Sequence, residues 1–406
     1  MHPYLRFTGF RGKRLHLGIC GSVAAYKIAD VVRQFSSTHM DVGVTLTSAA
    51  CEFVSPQLFA ALGADPVYAT LFSGTANREI HGHLYPGQFA DALLIAPATA
   101  NILAKAAHGL ADDMLSCQLL SYPRPMVFAP AMNPRLWHAV ATQANCALLR
   151  ERGHVILEPE EGVMACGEHG KGRLPESDVI FLSGLRALAP QDLAGKRILI
   201  TLGPTQEYWD AVRFLSNPSS GVMGLSLACA AWIRGAHVHV VSGPVALDFP
   251  PLFTVTHVTG AEEMYEACRS VWGDYDVACF CAAVADYRPP RLSGKKLSKT
   301  APDFPMTLPL TVNTDILRSF CAVKTPGQRA IGFCAETADL PPRAWQKLQA
   351  KGADLLVANR VDLPDSGFGS PTNQVLVVDR SGRQEQWPML SKPEVAWRIW
   401  DWLPLL

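Results

Sequence analysis

Apolar and polar positions along this chain fall into two blocks with the same rhythm. In the first, LHLGIC (15–20) and DVGVTLT (41–47) are short apolar runs of the kind that form buried strands. Between them, GSVAAYKIADVVRQFSS carries apolar residues at helical spacing after a tight turn, which completes a βαβ unit. DALLIAPAT (91–99) predicts a further strand, residues 100–120 read as helix, and PMVFAPAMN reads as another strand and loop. Strands alternating with helices predict a parallel, doubly wound sheet. The periodicity lapses over LRALAPQDLAGK (185–196), where Pro190 and Gly195 break it. It then restarts with strands RILITLG (197–203), HVHVVSG (237–243), VACFCAAVADY (277–287) and DLLVANR (354–360), with helix over 224–233 and helical text ending in KLQAKG. The C-terminal SKPEVAWRIWDWL predicts a helix with Ser391 at its N-cap and Pro393 in its first turn. The pattern predicts an α/β chain of two Rossmann-like three-layer domains, residues 1–188 and 189–406, the second with a parallel-rich sheet.

Composition narrows the function classes. At 406 residues and 49% hydrophobic, the chain can fill the cores of two or three domains. Formal net charge is zero and only 18% of residues are charged, which argues against nucleic-acid or membrane-surface partners and leaves small charged ligands. The eleven cysteines include no CxxC and mostly sit in apolar context, as Cys117 and Cys281 do, so they read as buried reduced thiols. The N-terminal MHPYLRFTGFRGKR has no apolar core of signal-peptide length, and no stretch approaches the ~20 apolar residues of a membrane span. A cytoplasmic protein is expected.

Three polar loops of the first block follow strands. They hold Gly21 and Ser22, Thr47, and Thr99 with Asn101. A glycine at one βα turn serves geometry in any such fold. Three such loops at the carboxyl ends of strands point to a ligand, and the absence of GxGxxG points to a mononucleotide. His83 precedes the ADALLI strand by a short helical segment, with His81 two positions away, and spacing does not choose between them. Asn133, in PAMNxxxW with Trp137, sits in a post-strand loop, where an asparagine either forms a turn or orients a carboxylate. Cys166 stands in the polar MACGEHGKGR with Gly167, Gly170 and Gly172, a setting that favours a reactive thiol over a structural one.

The second block has its own chemistry. SNPSSGVMG places Asn217, Ser219, Ser220 and Gly221 at a helix start, an arrangement that suits phosphate and also suits a plain serine-rich cap. Asp286 follows the CAAVA strand, and Lys296 and Lys299 lie in the basic run SGKKLSK. Lys347 and Lys351 are four apart on one helical face with no acidic residue within a turn. Such a pair opposes helix formation by a few tenths of a kcal/mol, which a polyanion relieves, although cations near a helix C-terminus are also favoured by its dipole.

GSVAAYK, APATAN, GLADDML, APAMN with Trp137, and ACGEHGKGR together resemble the homo-oligomeric flavin-containing cysteine decarboxylases, of the phosphopantothenoylcysteine decarboxylase type of coenzyme A biosynthesis. The resemblance implies FMN held by Gly21, Ser22, Thr47, Thr99 and Asn101. It selects His83 over His81, because the family pattern is Gly-His-aliphatic, as in Gly82-His83-Leu84. It further implies that oxidation of the substrate thiol to a thioaldehyde supplies the electron sink for loss of CO2, with Asn133 on the carboxylate, His83 as base and Cys166 as proton donor.

GPTQEYWDAVRFLSNPSSGVMG, AAVADYR, the lysine-rich loop, NTDIL, GFCAET and the Lys347/Lys351 helix resemble the phosphopantothenate–cysteine ligase domain fused to that decarboxylase in bacteria. This implies CTP-dependent formation of an acyl-cytidylate and attack by the amine of cysteine, with Mg2+ on the triphosphate. By the same resemblance Asp286, Lys296, Thr314, Asp315, Ile316, Leu317, Phe333, Lys347 and Lys351 hold the nucleotide. Lys296 stabilises charge in cytidylyl transfer, and Asn217 serves the intermediate. Two positions depart from the family: Ser298 interrupts its KxKK run, and Val222 stands where lysine commonly follows SSG. The resemblance also implies decarboxylase trimers and ligase dimers that combine into a dodecamer. Competing readings are a decarboxylase with an impaired ligase half and a non-catalytic flavoprotein regulatory subunit.

Overall fold

A computed structural model describes residues 2–71, 81–290, 296, 307–337, 340–363 and 365–405. The apolar runs of the first block become β1 (Arg14–Ile19), β2 (Asp41–Leu46), β4 (Ala92–Ala98) and β5 (Val127–Pro130), and two short strands not read from the sequence, β3 (Val67–Tyr68) and β6 (Val155–Ile156), join them. They form one parallel sheet in the order 3-2-1-4-5-6. Every position of β4 is buried, as a strand covered on both faces requires. Leu93 and Ile95 pack with helices Ala100–His108, Met114–Ser121 and Val140–Glu151. The alternate residue Leu94 faces Gly184 of helix Ser177–Leu188 and Phe35 of helix Ile28–Ser37. A hairpin of β7 (Glu160–Val163) and β8 (His169–Arg173) stands apart from the sheet as its own antiparallel ladder.

The second block builds β9 (Arg197–Leu202), the hairpin β10 (Gln206–Tyr208) and β11 (Phe214–Ser216), β12 (His237–Ser242), β13 (Thr254–His257), β14 (Val277–Phe280) and the short pair β15 (Tyr287–Arg288) and β16 (Thr311–Val312). It continues with β17 (Arg329–Glu336), β18 (Leu355–Arg360), β19 (Thr372–Asn373), β20 (Val375–Asp379), β21 (Gln384–Gln386) and β22 (Leu390–Ser391). The eight-stranded sheet runs 13-12-9-14-17-18-20-21, parallel through β18 and antiparallel over its last two strands. Helix Val222–Ile233 is apolar nearly all round and almost wholly buried. It packs under the C-terminal helix Lys392–Trp402, whose Trp400 indole donates to the Leu227 carbonyl at 3.1 Å. Three expectations shift: this helix begins at Val222 rather than 224, the segment after β1 opens with a 3-10 turn, Val23–Lys27, before its α-helix, and the run 277–287 is strand only to Phe280, beyond which the chain leaves the sheet as a loop.

Met1–Phe7 and Gln191–Leu406 form one compact unit, and Thr8–Pro190 the other. The boundary expected at 188/189 is thus found at 190/191, and the N-terminal segment belongs to the C-terminal half. The reason is apolar burial. Tyr4, Leu5 and Phe7 are buried, and the Phe7 ring meets Trp397 edge-on at 6.1 Å. Among the described residues no helix is long and apolar enough to cross a membrane.

Gly43 in β2 has a packing reason. It lies opposite His16 of β1, and a Cβ there would come within 2.4 Å of the imidazole Nδ1. The fully buried His16 ring reaches the Thr45 hydroxyl at 2.7 Å, and burial pulls its pKa from 6.5 down to about 3. The native state therefore holds this ring neutral while the unfolded chain protonates it. The resulting stability is complete above pH 6.5 and is lost as pH falls from there toward about 3. Its slope is about 1.4 kcal/mol per pH unit for one proton. In acid titrations followed by circular dichroism, His16→Gln should lose less stability than the wild type between pH 6.5 and about pH 5; equal losses would remove His16 as the source.

Candidate active sites

In the N-terminal unit the strand order reverses between β1 and β4, and the loops leaving β2, β1 and β4 are neighbours because the strands are. Each loop ends on a hydroxyl that caps the next helical turn. Ser22 accepts from the Ala24 N–H at 3.4 Å, Thr47 from Ala50 at 3.2 Å and Thr99 from Ile102 at 3.4 Å. A hydroxyl that accepts in a cap keeps its own proton to donate, so this set suits a phosphate. Gly21 lets two of the loops close up, since a Cβ would come within 2.5 Å of that of Ala49. Asn101 is exposed in the first turn of helix Ala100–His108. The adjoining Cys20 thiol is buried and pushed up to about 12 by that burial, which keeps it inert. His83 lies half-buried on the 3-10 turn Gly82–Leu84. That turn is tied to helix Met114–Ser121 by Gln118 donating to the Gly82 carbonyl at 2.8 Å and Ser121 to that of His83 at 2.9 Å.

Asn133 and Cys166, 33 positions apart, are brought together. Cys166 is exposed in the turn joining β7 to β8. The Asn133 amide is fixed at both ends: its oxygen accepts from the Arg135 N–H at 2.8 Å, and its nitrogen lies 2.8 Å from Glu168 Oε2 and 3.5 Å from Cys166 Sγ. Glu168 also pairs with Arg135 at 2.5 Å. The glycines of the flap permit this contact. A Cβ on Gly172 would come within 2.2 Å of the Met132 carbonyl and one on Gly170 within 2.9 Å of Pro134, while the Met132 N–H donates to the Gly172 carbonyl at 2.9 Å. Sequence reading missed Glu168, although it is the one acidic residue of ACGEHGKGR.

The C-terminal unit holds a cavity of about 660 Å3 at the carboxyl edge of its sheet. Gly221, at φ 77°, turns the chain into helix Val222–Ile233 and points that N-terminus at the cavity. Asn217 lines the cavity while its amide donates to the Ala283 and Val284 carbonyls at 3.2 and 3.1 Å, clamping the loop after β14. Asp286, Thr314, Asp315, Ile316, Leu317, Phe333, Lys347 and Lys351 all line it. Asp315 caps helix Ile316–Val323 by accepting from Arg318 at 3.1 Å. The lysine pair is not left unbalanced, contrary to the sequence reading. Lys347 meets Glu336 of β17 at 2.6 Å and Lys351 meets Asp315, both carboxylates reaching over from other elements. Burial lowers the Lys347 pKa, but its hydrogen bond to Glu336 together with the negative charge of Glu336 and Asp286 outweighs this and leaves the ammonium above its ordinary value.

Lys296 does not join the cavity lining: it is exposed, and Lys299 and the rest of the basic run lie outside the described residues. Lys392, which sequence reading passed over as part of a helix cap, is buried in the cavity wall. Among the described residues no three His, Cys, Asp or Glu side chains are grouped to hold a metal ion.

An open parallel sheet whose polar loops share a unit with a thiol-bearing flap, followed by a second open sheet with a polar cavity at its edge, defines a two-domain α/β protein. Residues 8–183 match the family described as Flavoprotein, and residues 193–405 match the DNA/pantothenate metabolism flavoprotein C-terminal domain. The chain is 39% identical to the coenzyme A biosynthesis bifunctional protein CoaBC of Vibrio vulnificus (strain YJ016), covering 96% of both chains, and 40% identical to that of Bacillus subtilis (strain 168), covering 94% of both. A crystal structure of the C-terminal domain of a CoaBC protein is 38% identical and covers 52% of this chain and 95% of that one, with a TM-score of 0.45. The chain belongs to the family of bifunctional coenzyme A biosynthesis proteins.

The flap contact is testable without any substrate. Gly172→Val should break the Met132–Gly172 backbone bond, and hydrogen exchange at the Met132 amide should speed up by at least about tenfold, the loss of roughly 1.4 kcal/mol of local protection. Unchanged exchange would mean the flap is held by other contacts.

Proposed function

We propose that the chain catalyses two consecutive steps of coenzyme A biosynthesis. The C-terminal unit joins cysteine to 4'-phosphopantothenate through an acyl-cytidylate made from CTP. The N-terminal unit then decarboxylates phosphopantothenoylcysteine to 4'-phosphopantetheine with FMN. The observation that carries the reading is the Asn133–Cys166 contact at 3.5 Å, an amide and an accessible thiol held together in a flavoprotein-family domain.

In the N-terminal unit the hydroxyls of Ser22, Thr47 and Thr99, with Gly21 and Asn101, would hold the FMN phosphate and flank the ring. When bound, the flavin supplies two-electron oxidation and reduction of the substrate carbon next to sulfur. Asn133, already immobilised by Arg135 and Glu168, would hold the substrate carboxylate. His83 would take the thiol proton, and Cys166 would deliver a proton to carbon after CO2 leaves. The flap carries Cys166 at the accessible turn of a short hairpin.

In the C-terminal unit the N-terminus of helix Val222–Ile233, reached through Ser219, Ser220 and Gly221, would face the phosphates. Phe333, Lys347, Lys351 and residues 314–317 would hold the nucleotide. Asn217, which locks the loop after β14, would place the acyl intermediate. Lys296 would act from the basic run. The exposed carboxylate of Asp286 suits a Mg2+ that arrives with the triphosphate, which itself brings most of the oxygen ligands. The same reading places the enzyme in the cytoplasm as a homo-oligomer. Val23 and Tyr26, beside the Ser22 loop, are 53% and 61% exposed apolar side chains available for such contacts.

Purified protein with phosphopantothenate, cysteine, CTP and Mg2+ should form CMP, CO2 and phosphopantetheine and show a flavin spectrum. Cys166→Ser should cut phosphopantetheine formation by about 10²-fold or more, in line with loss of a proton donor that acts after CO2 leaves, while CMP release and a first equivalent of CO2 persist. CO2 from added phosphopantothenoylcysteine without CMP from CTP or ATP would favour a decarboxylase with an impaired ligase half. Bound flavin without either product would favour the regulatory subunit.

A further inference from the structure

Three polar side chains in the ligase cavity lack the partners that burial demands. Lys392 is 4% exposed, and among the described residues its ammonium has one hydrogen bond, to the Gly367 carbonyl at 3.3 Å, and no carboxylate. The other two lysines of the cavity are each paired with an acid. A lysine is seldom buried unpaired, and at the first turn of a helix it also opposes the dipole. Burial pulls its pKa below the ordinary lysine value. Asn373, 2% exposed, and Asn359 each keep a buried carboxamide oxygen with no hydrogen-bond partner. Buried polar atoms left without a hydrogen bond are rare in folded proteins, so such groups call for a ligand.

The three are neighbours by strand pairing. Thr372 and Asn373 of β19 ladder with Ser391 and Leu390 of β22, directly before Lys392, and Asn359 pairs with Val375 two residues beyond Asn373. All three line the cavity. Asn373 Nδ2 lies 3.4 Å from the Met223 sulfur, in the first turn of helix Val222–Ile233. The cluster is therefore beside the helix N-terminus to which the phosphates are assigned.

One ammonium and two carbonyl oxygens ask for a ligand with an oxyanion and an N–H donor close together. A phosphate answers only the lysine and would be repelled by the carbonyl oxygens. An α-amino acid answers both. We propose that Lys392, Asn359 and Asn373 form the subsite for the cysteine co-substrate, Lys392 taking its carboxylate and the asparagine oxygens its amine. This assignment rests on the ligase reading given above and supplies what that reading leaves open: how the nucleophile is held beside the activated acyl group.

The test compares cysteine with cysteamine, which keeps the thiol and amine and lacks the carboxylate, in ligation by the full-length enzyme with CTP and phosphopantothenate. The wild type should favour cysteine in kcat/KM by at least about tenfold, the worth of one charge-assisted hydrogen bond. Lys392→Met should erase most of that preference by raising KM for cysteine about tenfold, with KM for CTP moved less than about twofold. Asn373→Leu should raise KM for both amines. Equal use of the two amines by the wild type overturns the subsite without any variant. So does a Lys392→Met enzyme that no longer releases pyrophosphate before an amine is added, since that lysine would then serve the nucleotide. A wild type that releases no pyrophosphate from CTP overturns the ligase reading itself, a failure visible before either amine is added.

Discussion

Strands of a parallel sheet all end at the same edge, and both sites exist because of that constraint. Loops leaving adjacent strands must crowd there, and helices that follow them start there with unpaired N–H groups. The N-terminal unit fills its edge with capping hydroxyls from β1, β2 and β4. The C-terminal unit fills its own with Gly221, Asn217 and the loop after β14. The two units share this rule and differ in what they add to it: a hairpin carrying a thiol in one, a cavity wall carrying lysines in the other.

Much of this was legible in the sequence because burial leaves a periodic mark. The strands that apolar runs predict begin within a residue or two of those runs, and β4 shows why, being buried at every position, whereas β3, β6, β13, β17, β20 and β21 were not read from the sequence. The Asn133–Cys166 pairing was legible only through the order of motifs. Its physical cause, the backbone contact that Gly172 allows, depends on distances no periodicity encodes. The partners of Lys347 and Lys351 were illegible for a related reason. Helical spacing reports neighbours on one helix, and Glu336 and Asp315 arrive from other elements. Lys392 was hidden because its sequence context reads as a helix start, and burial of a single cation has no sequence signature.

Charge in the C-terminal cavity is distributed with more discrimination than a count of lysines conveys. Two ammonium groups are paired with carboxylates from other elements, which softens the local field around them. The buried third is held without that compensation, in a wall where the effective dielectric is lower and each unit of charge weighs more.

The N-terminal unit is bracketed in the chain by two pieces of the other, Met1–Phe7 before it and Gln191–Leu406 after it. Its polypeptide is topologically an insertion, entered and left through the neighbour's fabric. A single cut at residue 190 therefore does not yield two finished proteins. The front piece would carry Tyr4, Leu5 and Phe7 as an orphaned greasy leader, and the back piece would lack the plug that closes its helices. Any division of this polypeptide into independent genes has to carry that leader across to the other side.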